Sequence, residues 1–519
     1  MTATAPPSSM VPGLRRNMVT ICAMTATIMQ ALDTTIANVA LPYMQGTLSA
    51  SQDQINWVLT SYIVAAAIMT APVGWIANRF GRKRIFVICS AGFTIASVLC
   101  GLAQDIGQMV LFRLMQGVFG AALVPLSQAV MLDSYTLQER AKAMSIWGMG
   151  VMMGPIMGPS LGAWLTETYS WHWVFFVNLP FGIFTVLGLV VFMDETPKNL
   201  NLRFDWFGFT ALAVAIGSLQ LALDRGEQLG WLESNEIIAE FIIAGVGFYY
   251  FLAHSLTTQH PFIQFALFKD KNFVGGCVFM TVMGLVLFST MALSSPFLQN
   301  VIGYPIITAG LLLASRGCGT FVAMMLVGRM LRYIEARTLI ASGLSLTCAS
   351  LWYMTYWTDQ TGVPEIVTVS IIQGFGFGLV FVPLSTVAFL TLPNHLRTDG
   401  TSMLTLLRNV ASSVGISLVI AQLTQGTRYN YAILNEHINP FNQAMQMPQV
   451  RTMLDMATDK GRALADLIVR TQAQIVAFSQ DYQMVMIFTA LAIPLAIMIG
   501  SSKAALRKQA AGPDHAVME

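Results

Sequence analysis

The sequence predicts an all-α integral membrane protein of 14 transmembrane helices, arranged as two parallel six-helix halves with two further helices between them. Composition, the length of the apolar runs and an internal repeat predict it. Of 519 residues, 55% are hydrophobic and only 10% charged, with a mean hydropathy of +0.62 and 32 methionines. A soluble domain needs roughly 25% charge, so the solvent that fits this composition is lipid.

Runs long enough to cross a ~30 Å hydrocarbon core fall near 17–40, 55–77, 84–104, 108–132, 142–166, 172–193, 205–223, 236–257, 274–297, 306–328, 338–357, 364–390, 401–424 and 483–502. Residues 1–16, rich in Pro and Ser and ending in Arg15 and Arg16, read as a short lead. The run that follows has no small-residue cleavage site and reads as an uncleaved span rather than a signal peptide. An even number of spans puts both termini on one side. Most Lys and Arg near span ends share that side, among them Arg15, Arg16, Arg79, Arg82, Lys83, Arg84, Arg140, Lys142, Arg329, Arg332, Arg337, Arg397 and Lys503. Positive charge marks it as cytoplasmic. The organisation expected is a lead (1–16), a six-helix half (17–200), two inserted helices (201–260), a second half (261–502) with an outer element at 425–482, and a cytoplasmic tail (503–519).

The halves echo one another. Pro42–Gln45 recurs as Pro296–Gln299, Gly74 as Gly328, and the stretch from Gln116 as that from Gln373, at a spacing of roughly 255 residues. Six spans fill less than that, which leaves room for two more between the repeats. Parallel six-span halves are the architecture of major facilitator transporters.

Composition excludes several functions. A net charge of +2 gives no argument for nucleic acid. The six cysteines lie in apolar runs with no CxxC pair, so they suggest neither a metal nor a disulfide framework. No Walker loop, HExxH or GxSxG is present, so ATP is not indicated as the energy source and no enzyme site is visible.

Charges inside spans are costly, on the order of 2.5 to 3.5 kcal/mol at a helix centre, and each needs a reason. Asp33, Arg113, Arg316 and Arg408 are the deep ones. Asp33 lies about 26 Å along a helix rising from Arg16, hence in the outer third. Arg113 enters a helix descending from the outer face and reaches nearly the same level, so the pair can meet. Ser370 stands at Arg113's place in the second repeat. Two readings of the pair remain open: a buried ion pair that fixes helix packing, or a proton site whose carboxylate Arg113 keeps ionised until substrate or conformation tips the balance. Water in a central cavity is the alternative partner for Asp33. Arg316, near the midplane, either lines the cavity or pairs with a carbonyl at a broken turn; Gln30, Asn38, Gln116 and Gln128 are further cavity candidates. Arg408, close to the cytoplasmic end, reads as snorkelling. Asp224 and Glu240 read as solvated caps, and Trp171 and Trp173 as an interfacial belt.

Gly154, Gly158 and Gly162 form one bare helix face, with Pro155 and Pro159 bending the span. That face is either a packing kink or the seam between the halves. From Val450 to Val476 an apolar stripe (Val450, Met453, Leu454, Leu464, Leu467, Ile468, Ile475, Val476) is spaced for one face of a helix in the outer element, which either packs on its own protein or meets a partner.

These motifs resemble, over essentially the whole chain, the 14-span drug/proton antiporters of the EmrB/QacA type within the major facilitator superfamily. "GWIANRFGRKR", with Gly74, Asn78, Arg79, Gly81 and Arg82, resembles the signature loop between spans two and three, although Asn78 stands where Asp is usual. The resemblance implies a cytoplasmic latch there, and Asn78 removes its usual charge. "FRLMQGVFGAA" resembles the fourth-span motif whose Arg, here Arg113, is associated with proton coupling. "GPIMGPSLGA", with Gly154, Gly158, Pro159 and Gly162, resembles the antiporter motif, with Ala163 replacing a usual Gly. "LDTTIANVALP" and "WHWVFFVNLP" resemble the first- and sixth-span motifs, with His172 where Arg is common; "GSLQLALDRGEQLGW" and "NPFN" are similar to the EmrB branch. The resemblance implies multidrug efflux driven by the proton gradient, without cofactor or metal, in a bacterial inner membrane. It also implies a periplasmic adaptor like EmrA and an outer-membrane channel like TolC as partners. One Asp among three deep Arg favours hydrophobic weak acids or neutral amphiphiles as cargo. Competing readings are an exporter of one endogenous metabolite, such as a siderophore or lipid, and a non-transporting scaffold or sensor.

Overall fold

A computed structural model describes residues 13–136, 139–200, 202–258, 261–331, 333–393, 396–439, 442–447, 450, 454 and 456–498. Among these the chain is helical, with no strand. The helices are α1 (Leu14–Thr47), α2 (Gln52–Thr70), α3 (Val73–Phe80), α4 (Arg82–Gly101), α5 (Ile106–Gly120), α6 (Leu123–Ser134), α7 (Arg140–Thr168), α8 (Trp173–Phe176), α9 (Asn178–Phe192), α10 (Trp206–Leu229), α11 (Asn235–Thr257), α12 (Lys271–Pro296), α13 (Ile306–Met330), α14 (Ala336–Met354), α15 (Val363–Val387), α16 (Arg397–Glu436), α17 (Gln443–Gln446) and α18 (Asp459–Ala492). The terminal segments 1–12 and 499–519, and with them the lead's first residues and the cytoplasmic tail, lie outside the described residues, as do Arg332 and, in the outer element, Met453.

Among the described residues, eleven helices are long and apolar enough to cross a membrane, twelve if α2 and α3 form one span bent by 55°. The sequence predicts fourteen. The other two expected spans coincide with α7 and α14, helices of 29 and 19 residues that fall outside that apolar set. Both are rich in Gly, Ser or Thr. Small and weakly polar residues lower hydropathy but let helices pack closely, so a span lined by other helices needs less apolar surface.

α7 is sandwiched between α1 and α13. The Gly154, Gly158 and Gly162 face meets α1, so it is not the seam between the two repeats. A Cβ on Gly154 would come within 2.2 Å of the Ala31 carbonyl, one on Gly158 within 2.0 Å of Thr35 Oγ1, and one on Gly162 within 2.9 Å of Ile36. The α13 contact uses the other side of α7, where Ser160 faces Gly310, Ile156 faces Gly317, and Gly148 meets Met324. A bare glycine face shows that a helix comes close; it does not say which one. The outer element also differs from a loop bearing a helix: α16 runs on to Glu436 and α18 begins at Asp459, so both are continuous with the spans below. Within α18, Ala465, Val469, Ala473 and Ala477 are buried, whereas Leu467, Ile468 and Val476 of the expected stripe are exposed.

Two other expectations change. Trp171 is buried, stacked on His172 at 3.7 Å and donating to Thr47 Oγ1 at 3.2 Å, because it plugs the outer end between α1 and α8; Trp173 alone is exposed as a belt residue is. Asp224 is more than a solvated cap, since Thr60 of α2 donates to it and ties α10 to the bundle.

Candidate functional site

Asp33 sits on α1 with its side chain fully buried, and three helices converge on it. Arg113 Nη1 donates to Oδ2 at 2.7 Å; Gln116 Nε2 donates to Oδ1 at 2.7 Å, and Asn178 Nδ2 donates to the same oxygen at 3.3 Å. Arg113 and Gln116 come from α5, whose N-terminus Asp105 caps by accepting from Gln108 N. Three residues apart, they share one helix face. Asn178 opens α9 just after the break that separates it from α8.

The arginine has partners besides the acid. Its Nε donates to Val58 O at 3.0 Å and its Nη1 also donates to Gln116 Oε1 at 2.9 Å, while Cζ lies 4.3 Å from the Tyr62 ring centre. Gly117 makes this possible: a Cβ there would meet Tyr62 O at 2.5 Å, so only a glycine lets α5 lie against α2. A further shell holds the donors, with Asn178 Nδ2 also donating to Ser97 Oγ at 3.0 Å and Gln30 Nε2 to the Tyr62 hydroxyl at 3.4 Å.

A buried ion pair survives desolvation when further hydrogen bonds support it, as Gln116, Asn178 and Val58 do here. Proton uptake by Asp33 would leave Arg113 with two neutral acceptors and an aromatic face.

The other expected site residues are dispersed. Gln116 belongs to the Asp33 cluster. Gln128 is buried beside the Ser127–Trp147 bond, with Nε2 unpartnered; Asn38 is exposed on α1. Arg316 is buried and donates through Nη2 to Ser294 Oγ at 3.2 Å, with Nε unpartnered, so it meets no carbonyl at a broken turn. Arg408 reaches Asn409 Oδ1, at 3.5 Å. Sequence reading missed Asn178, Ser97 and Tyr62. An amide alone in the apolar run before Pro180 was the available signal for the first.

At the α3–α4 end of the bundle, expected to be cytoplasmic, Asn78 Nδ2 donates to Asp399 Oδ2 at 3.2 Å across 321 residues of sequence. Asp133 accepts from Arg82 and, at 2.7 Å, from Arg397. Gly74 lets this contact form, since a Cβ would run into Asp399, and Gly81 holds a φ of +98° that favours glycine. Arg79 donates to Leu202 O. The position where a latch is expected thus carries a neutral donor, Asn78, on the acid of α16. Asn78→Asp would set two carboxylates together and is expected to loosen it. In a background lacking the native cysteines, a cysteine at Ser402 should react several-fold faster with a membrane-impermeant maleimide from the cytoplasmic side; an unchanged rate refutes the latch.

Comparison with known proteins gives consistent results. A family model described as Major Facilitator Superfamily matches residues 23–416. The multidrug export protein EmrB of Escherichia coli K12 is 34% identical over 437 residues, covering 84% of this chain and 85% of that protein. The fatty acid resistance protein FarB of Neisseria gonorrhoeae is 34% identical over 422 residues, covering 81% and 83%. Among solved structures, an inward-facing bacterial homologue of the human lysosomal transporter Spinster aligns with a TM-score of 0.55 at 17% identity, covering 94% of this chain and 98% of that one, a likeness of fold alone.

Proposed function

The chain belongs to the major facilitator superfamily and is a multi-pass inner-membrane transporter of the multidrug-export kind, and on that premise we propose that it exchanges protons for hydrophobic compounds by alternating access. The observation that carries the reading is the fully buried Asp33–Arg113 pair with its three donors to one carboxylate. Asp33 takes a proton from the outer side, which frees Arg113 from its charge partner; release inward restores the pair. Substrate moves out in the intervening state. Fourteen spans with cytoplasmic termini, in a 6 + 2 + 6 plan, complete the reading, with α7 and α14 as the two spans of lower hydropathy. Arg316 and Arg408, neither paired with an acid, favour neutral or weakly acidic amphiphiles as cargo.

Proteoliposomes with the outer face acidified are expected to move a panel of such amphiphiles, including the neutral dye Nile red, with proton counterflow read by an entrapped pH dye. Transport without proton movement refutes coupling. Export confined to one compound refutes the multidrug reading.

The outer ends of α16 and α18 support docking of a periplasmic adaptor like EmrA, and through it a channel like TolC. A helix of 40 residues is about 60 Å long, roughly twice the hydrocarbon core, so part of α16 stands clear of the bilayer. Leu467, Ile468 and Val476 are exposed on the helix beside it. The double substitution Leu467→Glu with Ile468→Glu should cut co-purification of the adaptor about tenfold while adaptor-free transport in proteoliposomes stays at wild-type rate. Undiminished co-purification removes this surface as the dock.

A further inference from the structure

A second carboxyl lies buried in the C-terminal part of the chain, in surroundings opposite to those of Asp33. Asp481 of α18 has no exposed surface, and among the described residues neither of its oxygens has a hydrogen-bond or ion-pair partner. Asp33 receives three donors; Asp481 receives none. A bare ionised carboxylate in such a place costs far more than the neutral acid.

Its depth is set by its neighbours along the helix. Ser479 Oγ donates to Thr355 O at 2.8 Å just past the outer end of α14, and Asn430 of α16 donates to Gln480 at 3.3 Å. Asp481 therefore lies just inside the outer rim. On one side Ala477 meets Gly426 of α16; on the other Phe478 packs against Phe297 with ring centres 5.3 Å apart. Phe297 opens a single π-helical stretch, Phe297–Val301, directly after Pro296. Such stretches recur at functional sites, and this one packs through Phe297 on Phe478, three residues before the acid.

The titratable and charged groups on the packed elements are few. Tyr482, next along α18, is in electrostatic reach of both Asp481 and Arg316 of α13. On α14, Cys348 approaches Met486 O, deeper in the bundle. On α16, Arg428 and Tyr429 are exposed, and Tyr431 donates to Asp466. The π-helical stretch carries no charge, and α12 contributes Ser294 at the Arg316 end.

We propose that Asp481 is a second proton-carrying carboxyl, neutral in the conformation described here and discharged when the outer end of α12 shifts and admits water from the outer side. The proposal presupposes that transport is coupled to protons, and adds a site in the C-terminal half that the Arg113-to-Ser370 change in the repeat does not foreshadow. Only a proton moves: the acid's O–H bond breaks, and water accepts the proton.

Infrared difference spectroscopy of the full-length reconstituted protein tests it. Between acid and alkaline buffer, the wild type should lose a protonated-carboxyl C=O band reversibly. That band should vanish in Asp481→Asn and persist in Asp33→Asn. A difference spectrum identical in wild type and Asp481→Asn overturns the proposal, as does a band lost in Asp481→Asn that never responds to pH. Should the Asn variant fail to fold, Asp481→Glu must shift the band, and an unshifted band overturns the proposal equally. Coupling fails separately, as absence of proton counterflow in wild-type proteoliposomes.

Discussion

Asp33→Asn is expected to abolish uphill export while leaving substrate-for-substrate exchange running. The amide has nearly the carboxylate's shape and can still accept from Gln116 or Asn178, so the packing of α1 against α5 and α9 persists. Arg113 loses its counter-charge yet keeps Val58 O, Gln116 Oε1 and the Tyr62 face. Removing one partner of a buried pair typically costs about 3 to 5 kcal/mol, and these remaining contacts place the loss at the lower end. What the amide cannot do is gain and lose a proton. Exchange needs only the swing between inward- and outward-open forms, whereas accumulation against a gradient needs the proton. Proteoliposomes separate the two: uphill movement of Nile red should fall to background, and exchange should stay within about twofold of wild type. Uphill transport at the wild-type rate would remove Asp33 from the coupling role and leave it as a packing residue.

The second large effect concerns a residue that touches neither proton nor substrate. Gly154→Ala adds one methyl group where the Ala31 carbonyl already stands 2.2 Å from the ideal Cβ position. Backbone has to move, because no flexible side chain is there to give way. Overpacking of this kind costs about 1 to 3 kcal/mol. Here it also pushes α1 off α7 two residues before Asp33, which disturbs the fit with Arg113. Export should fall at least tenfold, with a lower thermal midpoint in detergent. Gly158 is a milder site, since Thr35 Oγ1 can rotate, and Gly46→Ala on α1, with nothing within 4 Å, should be silent. Wild-type export by Gly154→Ala would show that α1 has slack at this level.

These expectations show which parts of the site were legible in the sequence. Asp33 and Arg113 stand out because a charge in lipid is expensive, and a rise of 1.5 Å per residue from each span end brings them level. Their 2.7 Å contact is the geometric outcome of that arithmetic. Ser97 and Tyr62 carry no charge and are found wherever helices pack, so no sequence signal raises them above the background; Asn178, an amide alone in the apolar run before Pro180, left the one signal that could have been read. The glycine face was legible as a close approach. Its partner was not, because α1 and α13 flank α7 on different sides and periodicity fixes a face, not a neighbour. α16 and α18 were read short at their outer ends, since charge and polarity above the membrane look like loop whether or not the backbone stays helical.

α16 contains no proline from Arg397 to Glu436. Its first turn holds Asp399, the acceptor of the Asn78 latch, and its last turns stand outside the bilayer. A rod without a joint behaves as a lever: a tilt of about 10° over some 60 Å displaces its far end by roughly 10 Å. If the Asn78–Asp399 contact opens by such a tilt, the far tip is expected to move by an amount that a distance label at Glu436 would register. The Asn78 contact and the tip at Glu436 are two ends of one continuous helix, so a label on the tip reports on the contact.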